Sequence, residues 1–118
     1  MTLDDYFEGW AESRRLFEIL ARMIQDLGPS ELKVTRSQVS FRSKHPFAWA
    51  WVPEKYLRRP AAPLVLTLSF RRRDPSPRWK QVVEAAPGRF THHLELNDDA
   101  DLDEEVRAWL RAARRAAG

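Results

Sequence analysis

The sequence predicts an α+β fold in which an antiparallel sheet of five to six strands is packed on one face by N-terminal and C-terminal helices. Three observations predict it: a helical apolar stripe near the start, a run of short alternating apolar segments through the middle, and a second helical stripe at the end. The length of 118 residues fits a single domain, residues 1–118, that buries a core of its own.

The N-terminal region is predicted to be helical. Thr2 is a suitable N-cap for a short first helix, and Asp5 places negative charge near the start of that helix. The main helix is expected from about Trp10, with apolar residues at the spacing of one stripe: Leu16, Phe17, Leu20, Met23, Ile24 and Leu27. Gly28-Pro29 ends it, because glycine tolerates the left-handed residue after a helix and proline cannot continue one.

Period-two patterns in the middle of the chain predict strands over residues 32–36, 39–42, 47–52 and 64–70. The gaps are too short for parallel crossovers, so the strands are expected to be antiparallel. The segment 79–85 is ambiguous, and we assign it to a strand because Pro87-Gly88 then forms a tight reversal into a last strand, 89–96. The closing helix is expected to have Asp101 as N-cap and Glu104 as its capping-box partner.

The composition excludes several classes of protein. The chain has no cysteine, which excludes disulfides, thiolate catalysis and zinc–thiolate sites. No apolar stretch approaches the ~20 residues of a membrane span, and the acidic start is not that of a signal peptide, so we expect a cytoplasmic protein without a membrane partner. The motifs of the nucleophile elbow, the P-loop, dinucleotide binding and zinc proteases are absent, so we expect neither an enzyme nor a cofactor.

The net charge of +3 is unevenly distributed along the chain. Residues 31–80 contain 12 basic and 3 acidic side chains, whereas residues 1–30 and residues 81–118 each carry a net charge of −3. A basic centre between acidic ends favours an anionic partner, either nucleic acid or an acidic protein surface. Strand ends and loops that need solubility produce the same pattern, and the sequence alone leaves both interpretations open.

Aromatic residues are interleaved with the basic ones. Arginine beside exposed aromatic rings on a sheet is how single-stranded nucleic acid is held, by phosphate neutralisation and base stacking. We therefore predict a nucleic-acid- or anion-binding set that consists of Arg36, Arg42, Arg71, Arg72, Arg73, Arg78, Lys80 and Trp79. Strand 47–52 discriminates between a binding surface and an ordinary core, because Phe47, Trp49 and Trp51 either face the helices or are displayed on the outside.

Two adjacent histidines offer a different kind of site. Side chains of neighbours in a strand point to opposite faces, so His92 and His93 cannot chelate one metal together. His92 shares its face with apolar residues and is predicted to be buried with a hydrogen-bonding partner. His93 shares the other face with Glu95, which leaves open a small metal site formed by His93 and Glu95, with His45 as a third ligand only if the tertiary structure brings it near.

Four segments resemble a bacterial domain-of-unknown-function family, number 5655. They are LDDYF, TRSQVSFRSKHPFAWAWVP, SPRWKQVVEAAPGRFTHHLEL and DLDEEVRAWLRAA, which together span nearly the whole chain. Similar domains occur alone and as the last module of larger proteins with nuclease-like or restriction-associated parts, so the resemblance implies an accessory or nucleic-acid-linked binding role. A looser likeness to small frataxin-like domains rests only on the helix–sheet–helix order and implies metal binding.

Three interpretations therefore remain after the sequence is read. The favoured one is a non-catalytic binding domain whose basic centre contacts nucleic acid or another anionic partner. The second is a small frataxin-like metal-binding protein that uses His93 and Glu95. The third is a self-associating structural module in which the outer face of the sheet pairs two copies as a homodimer.

Overall fold

The computed structural model describes residues 1–57, 59 and 61–118, so Arg58 of the basic centre lies outside the described residues. Within these ranges the fold is α+β, as predicted, with helices α1 (Leu3–Phe7), α2 (Ala11–Gln25) and α3 (Glu104–Ala117). The strands are β1 (Glu31–Val34), β2 (Val39–Arg42), β3 (Pro46–Trp51), β4 (Leu64–Phe70), β5 (Gln81–Ala86) and β6 (Arg89–Leu96). No helix in the described part is both long and apolar enough to cross a membrane.

Local sequence signals explain where the first two helices begin and end. The Thr2 hydroxyl accepts from the Asp5 N–H (3.1 Å) and the Asp5 carboxylate accepts from the Thr2 N–H (3.0 Å), which is a complete capping box. Helix α2 buries its predicted apolar stripe from Leu16 to Ile24, while Leu27, the last predicted member, follows the helix and is partly buried. The chain leaves α2 through Gly28, whose φ of 129° is unfavourable for residues with a Cβ, so the predicted end of this helix is confirmed.

The six strands form one antiparallel sheet in the order β1-β2-β3-β4-β6-β5. The ambiguous segment pairs with β6 as β5, and Gly88 (φ 71°) lies in the tight turn between them, as predicted. Strand β1 ends at Val34, two residues before the predicted end, because Thr35 starts a turn in which its N–H donates to the Gln38 carbonyl (2.9 Å).

One face of the sheet packs against α2 and α3 around the hydrophobic core. Strand β4 contributes Leu64, Leu66 and Leu68 to this face, all fully buried. The small Ala48 and Ala50 of β3 lie beside them and are also fully buried, which leaves room for helices to approach the sheet. The opposite face, called the open face below, carries the alternate residues Trp49, Trp51, Val65, Thr67, Ser69, Thr91, His93 and Glu95.

Helix α1 fixes the end of β3 through one buried tyrosine. The Tyr6 hydroxyl accepts from the N–H of Val52, the residue after β3, at 3.1 Å, and donates to the carbonyl of Ser37 at 3.2 Å. Tyr6 is itself fully buried. These two bonds hold the strand end that carries Trp51.

The predicted N-cap of the closing helix is wrong. Asp103, not Asp101, caps α3, with its carboxylate accepting from the Val106 N–H (3.1 Å) while its backbone is extended. Asp101 belongs to a short 3₁₀ turn, Asp99–Asp101, that Asp98 caps. The acidic run offers several carboxylates of similar capping ability, so the sequence did not determine which one the helix uses.

Candidate functional site

The register of the sheet arranges the open face in rows. Trp49, Thr67 and His93 are directly opposite one another on β3, β4 and β6. Trp51 lies in the neighbouring row, opposite Val65 on β4. Residues opposite one another in antiparallel strands point to the same face, so the two tryptophans and the histidine form one contiguous surface.

Strand β3 displays its tryptophans and buries its phenylalanine. Trp49 and Trp51 are partly exposed, whereas Val65 and Thr67 beneath them are only 5% and 6% exposed. Phe47 breaks the alternation and is fully buried in the core, because the β2–β3 register shifts at this point and leaves an extra residue on β3. Two of the three aromatic residues in question are therefore on the open face, which is the arrangement expected of a binding surface.

A chain of hydrogen bonds crosses the open face. The Trp51 indole N–H donates to the Thr67 hydroxyl oxygen (3.2 Å), and the same oxygen is 2.7 Å from Nδ1 of His93. An indole N–H only donates, so the Thr67 hydrogen is available to neutral His93, whose own proton is then on Nε2. Burial lowers the pKa of His93, which favours this neutral form.

The predicted metal pair is placed on the open face without a third ligand. The structure brings together no group of three or more His, Cys, Asp or Glu residues among those it describes. Nδ1 of His93 is occupied by Thr67, and the Glu95 carboxylate lies 3.9 Å from the Lys80 ammonium. His45 immediately precedes β3, and its Nδ1 donates to the Ala117 carbonyl (3.0 Å).

Most of the predicted basic residues are exposed. Within the described ranges, the following have no salt bridge to a carboxylate: Arg36, Arg42, Arg71, Arg72 and Arg73. Arg42 lies opposite Glu31 in the register, yet its guanidinium donates to the Lys44 carbonyl at 3.2 Å. Arg36 lies in the β1–β2 turn, at the other end of the sheet from residues 71–73. The predicted set is therefore split between the two ends of the sheet.

Arg78 and Trp79 hold a loop against α3 instead of facing solvent. The Arg78 guanidinium pairs with the carboxylates of Asp103 (3.0 Å) and Glu105 (2.8 Å). Trp79 is only 8% exposed, and its ring centroid is 4.1 Å from that of Trp109. Trp79 is therefore removed from the surface, whereas the Arg78 guanidinium stays partly exposed but is already paired with two carboxylates. Asp103, Glu105 and Trp109 are more than twenty residues away in the sequence, so no local pattern revealed these contacts, although the Trp79 indole N–H also donates to the nearby Asp74 carboxylate (2.8 Å).

A cleft of about 450 Å³ lies at the end of the open face where β4 ends and β6 begins. It contains residues that the sequence analysis did not select, namely Ser69, Arg89 and Thr91, together with Trp49 and the predicted Arg71. The pairing of Ser69 with Thr91 explains their proximity. The sequence carried no signal for this proximity, because the predicted reversal at Pro87-Gly88 pairs the last strand with β5 and not with β4.

This combination defines a small α+β domain with one face packed by helices and the other carrying paired tryptophans beside a cationic cleft. The chain belongs to the family described as Domain of unknown function (DUF5655), whose model matches residues 3–115. This match confirms the family that the four sequence segments resemble. Comparison with the curated proteins and with the solved structures gave no significant match.

Proposed function

We propose that this domain is a non-catalytic binding module that holds single-stranded nucleic acid on its open face. The observation that carries the proposal is the display of Trp49 and Trp51 on one sheet face, next to a cleft that contains Arg71 and Arg89. Aromatic rings on a sheet stack unpaired bases, and neighbouring arginines neutralise the phosphates. A duplex keeps its bases stacked internally, so this surface suits a single strand better.

The spacing of the two tryptophans supports two stacked bases. Trp49 and Trp51 are two positions apart on one strand, which separates their Cα atoms by about 6.6 Å. The Thr67 hydroxyl anchors the Trp51 indole at 3.2 Å, so this ring is held in place before a ligand arrives. A side chain that is already ordered loses less conformational entropy on binding.

The charge around the face supports an anionic partner. Arg42, Arg71 and Arg72 lie at the end of the sheet that holds the cleft, and within the described residues each lacks a carboxylate partner. By contrast, Arg78 and Arg107 are paired with carboxylates of the acidic C-terminal third. Guanidinium groups without carboxylate partners are available to phosphate.

The proposal includes a cytoplasmic location. A chain without cysteine maintains its fold with no disulfide and therefore needs no oxidising compartment. The bacterial origin that the resemblance implies is included in the proposal.

Fluorescence anisotropy with labelled single-stranded DNA and RNA of 12 nucleotides tests the proposal, where about 12 is chosen within the usual site sizes of such proteins. Trp49→Leu and Trp51→Leu keep an apolar side chain over the sheet but remove the stacking ring. Each is expected to weaken binding about 5- to 150-fold, since stacking contributes about 1–3 kcal/mol per base.

Leu57→Ala is the matched control, because Leu57 is an exposed apolar residue (44%) that is not on the open face. The Leu57→Ala variant is expected to bind the oligonucleotides with the affinity of the wild type. Circular dichroism establishes that each variant is folded. Absence of binding at low salt, or equal binding by the tryptophan variants, would refute the proposal. Sedimentation at two concentrations shows whether the face pairs two copies instead.

A further inference from the structure

The cleft at the end of the open face is chemically suited to an anion. Its lining includes the polar residues His45, Ser69, Arg71, Arg89 and Thr91 and the indole of Trp49. Within the described residues, no aspartate or glutamate lines it. The β5–β6 turn at Pro87-Gly88 and the last turn of α3 at Ala116 and Ala117 also border the cleft. It is therefore a cationic recess at one end of the sheet.

The sheet itself brings two arginines to this recess. Phe70 and Phe90 are the last pair of the β4–β6 ladder, and Arg71 follows the first while Arg89 precedes the second. Like charges on adjacent strands repel each other. Neither guanidinium has a salt bridge in the part of the chain that the structure describes. An anion between the two arginines relieves this repulsion and accepts hydrogen bonds from the N–H groups of both guanidinium groups.

The remaining polar groups define what kind of anion fits. The Ser69 hydroxyl has no protein hydrogen-bond partner among the described residues and is free to donate, whereas the Thr91 hydroxyl donates to the Val83 carbonyl (3.3 Å). His45 donates through Nδ1 to the Ala117 carbonyl (3.0 Å), so Nε2 of the neutral ring is an acceptor, and the donors to an anion are the Ser69 hydroxyl and the two guanidinium groups. Trp49 supplies an aromatic face at the border of the recess.

We infer that this cleft binds a phosphomonoester, the terminal phosphate of the single strand that lies on Trp49 and Trp51. The inference rests on the proposed function. A terminal phosphate has a second ionisation with a pKa of about 6, so at neutral pH it carries close to two negative charges against one for an internal phosphodiester. Two guanidinium groups without carboxylate partners therefore favour a terminal phosphate over an internal phosphodiester. The turn and the helix end that border the recess suit the end of a strand rather than its continuation.

Four probes of one base sequence test this inference: an oligonucleotide with a 5′-phosphate, one with a 3′-phosphate, one with neither, and the corresponding nucleoside monophosphate. One of the phosphorylated strands is expected to bind about tenfold more tightly than the unphosphorylated strand, because charge-assisted hydrogen bonds are about twice as strong as neutral ones. Arg89→Gln and Arg71→Gln are expected to abolish this ratio. Arg36→Gln, at the opposite end of the sheet, is the matched control and is expected to preserve it.

The outcomes separate the two proposals. If all three strands bind equally and Arg89→Gln leaves their ratio unchanged, the inference about the cleft is wrong while the proposed function stands. If no strand binds but the monophosphate binds in a manner that depends on Arg71 and Arg89, the cleft is a site for free phosphomonoesters and the proposed function is wrong. If no probe binds, both are refuted.

Discussion

Buried His92 makes the stability of the fold depend on pH. It is fully buried, with Nε2 accepting from the Asp74 N–H (2.9 Å) and Nδ1 donating to the Phe90 carbonyl (3.2 Å). Phe70 and Trp79 pack against its ring at centroid distances of 4.7 and 4.9 Å. Burial lowers the pKa of His92 below its usual 6.5, because the charged imidazolium is poorly solvated there.

The direction of the effect follows from proton binding. Below pH 6.5 the unfolded chain binds a proton at His92 that the folded chain resists, so the free energy of unfolding decreases as the pH falls. For one such group the slope reaches about 1.4 kcal/mol per pH unit. His93, whose pKa burial also lowers, adds a second contribution of the same sign. Carboxylates with lowered pKa values, such as that of Asp103 with its usual value of 3.8, act at lower pH.

His92→Gln tests this explanation, since the Gln side-chain oxygen can accept from the Asp74 N–H but does not titrate. Urea denaturation at several pH values between about 5 and 7, around the ordinary pKa of histidine, measures the free energy of unfolding. In this variant the free energy of unfolding is expected to lose the part of its pH dependence that His92 causes. In His93→Gln it is expected to lose the part that His93 causes. If His92→Gln retains the full slope of the wild type, the explanation is wrong.

Three further substitutions are expected to change the free energy of unfolding, measured by urea denaturation. Thr67→Val conserves volume but leaves the Trp51 indole N–H and His93 Nδ1 without their partner, at a cost of about 1–3 kcal/mol; no change would mean that this chain of hydrogen bonds does not form. Asp103→Ala removes the N-cap of α3 and should cost about 0.5–2 kcal/mol, whereas an unchanged stability would show that the Asp103 cap does not stabilise this helix. Ala50→Leu places a larger side chain under the helices and should cost about 1–3 kcal/mol, so a neutral effect would refute the packing of this face.

Local patterns predicted the architecture and both faces of the last strand. Helix stripes, turn residues and period-two segments depend on neighbours within a few positions, which is why α2, β5 and the burial of His92 follow from the sequence. The placement of His93 on the opposite face follows from the same alternation.

The candidate site was only partly predictable, because its composition depends on distant contacts. Nothing in the sequence around Arg78 indicates that the folded chain pairs it with Asp103. In the same way, Trp79 is buried by its contact with Trp109, which is distant in the sequence. An extra residue on β3 decides that Phe47 is buried, and sequence patterns do not reveal such bulges. Arg89 enters the cleft only through the pairing of β4 with β6.

The central claim is that the open face holds a single strand by stacking and charge. Its most direct test is the affinity for a single-stranded oligonucleotide as a function of salt, measured for the wild type and for a variant with both Trp49→Leu and Trp51→Leu. Neutralisation of three phosphates by Arg42, Arg71 and Arg89 predicts that log K falls with log salt at a slope of about −2. The variant should keep a similar slope at much lower affinity. A salt-independent affinity, or one that the loss of both tryptophans leaves unchanged, would contradict the claim.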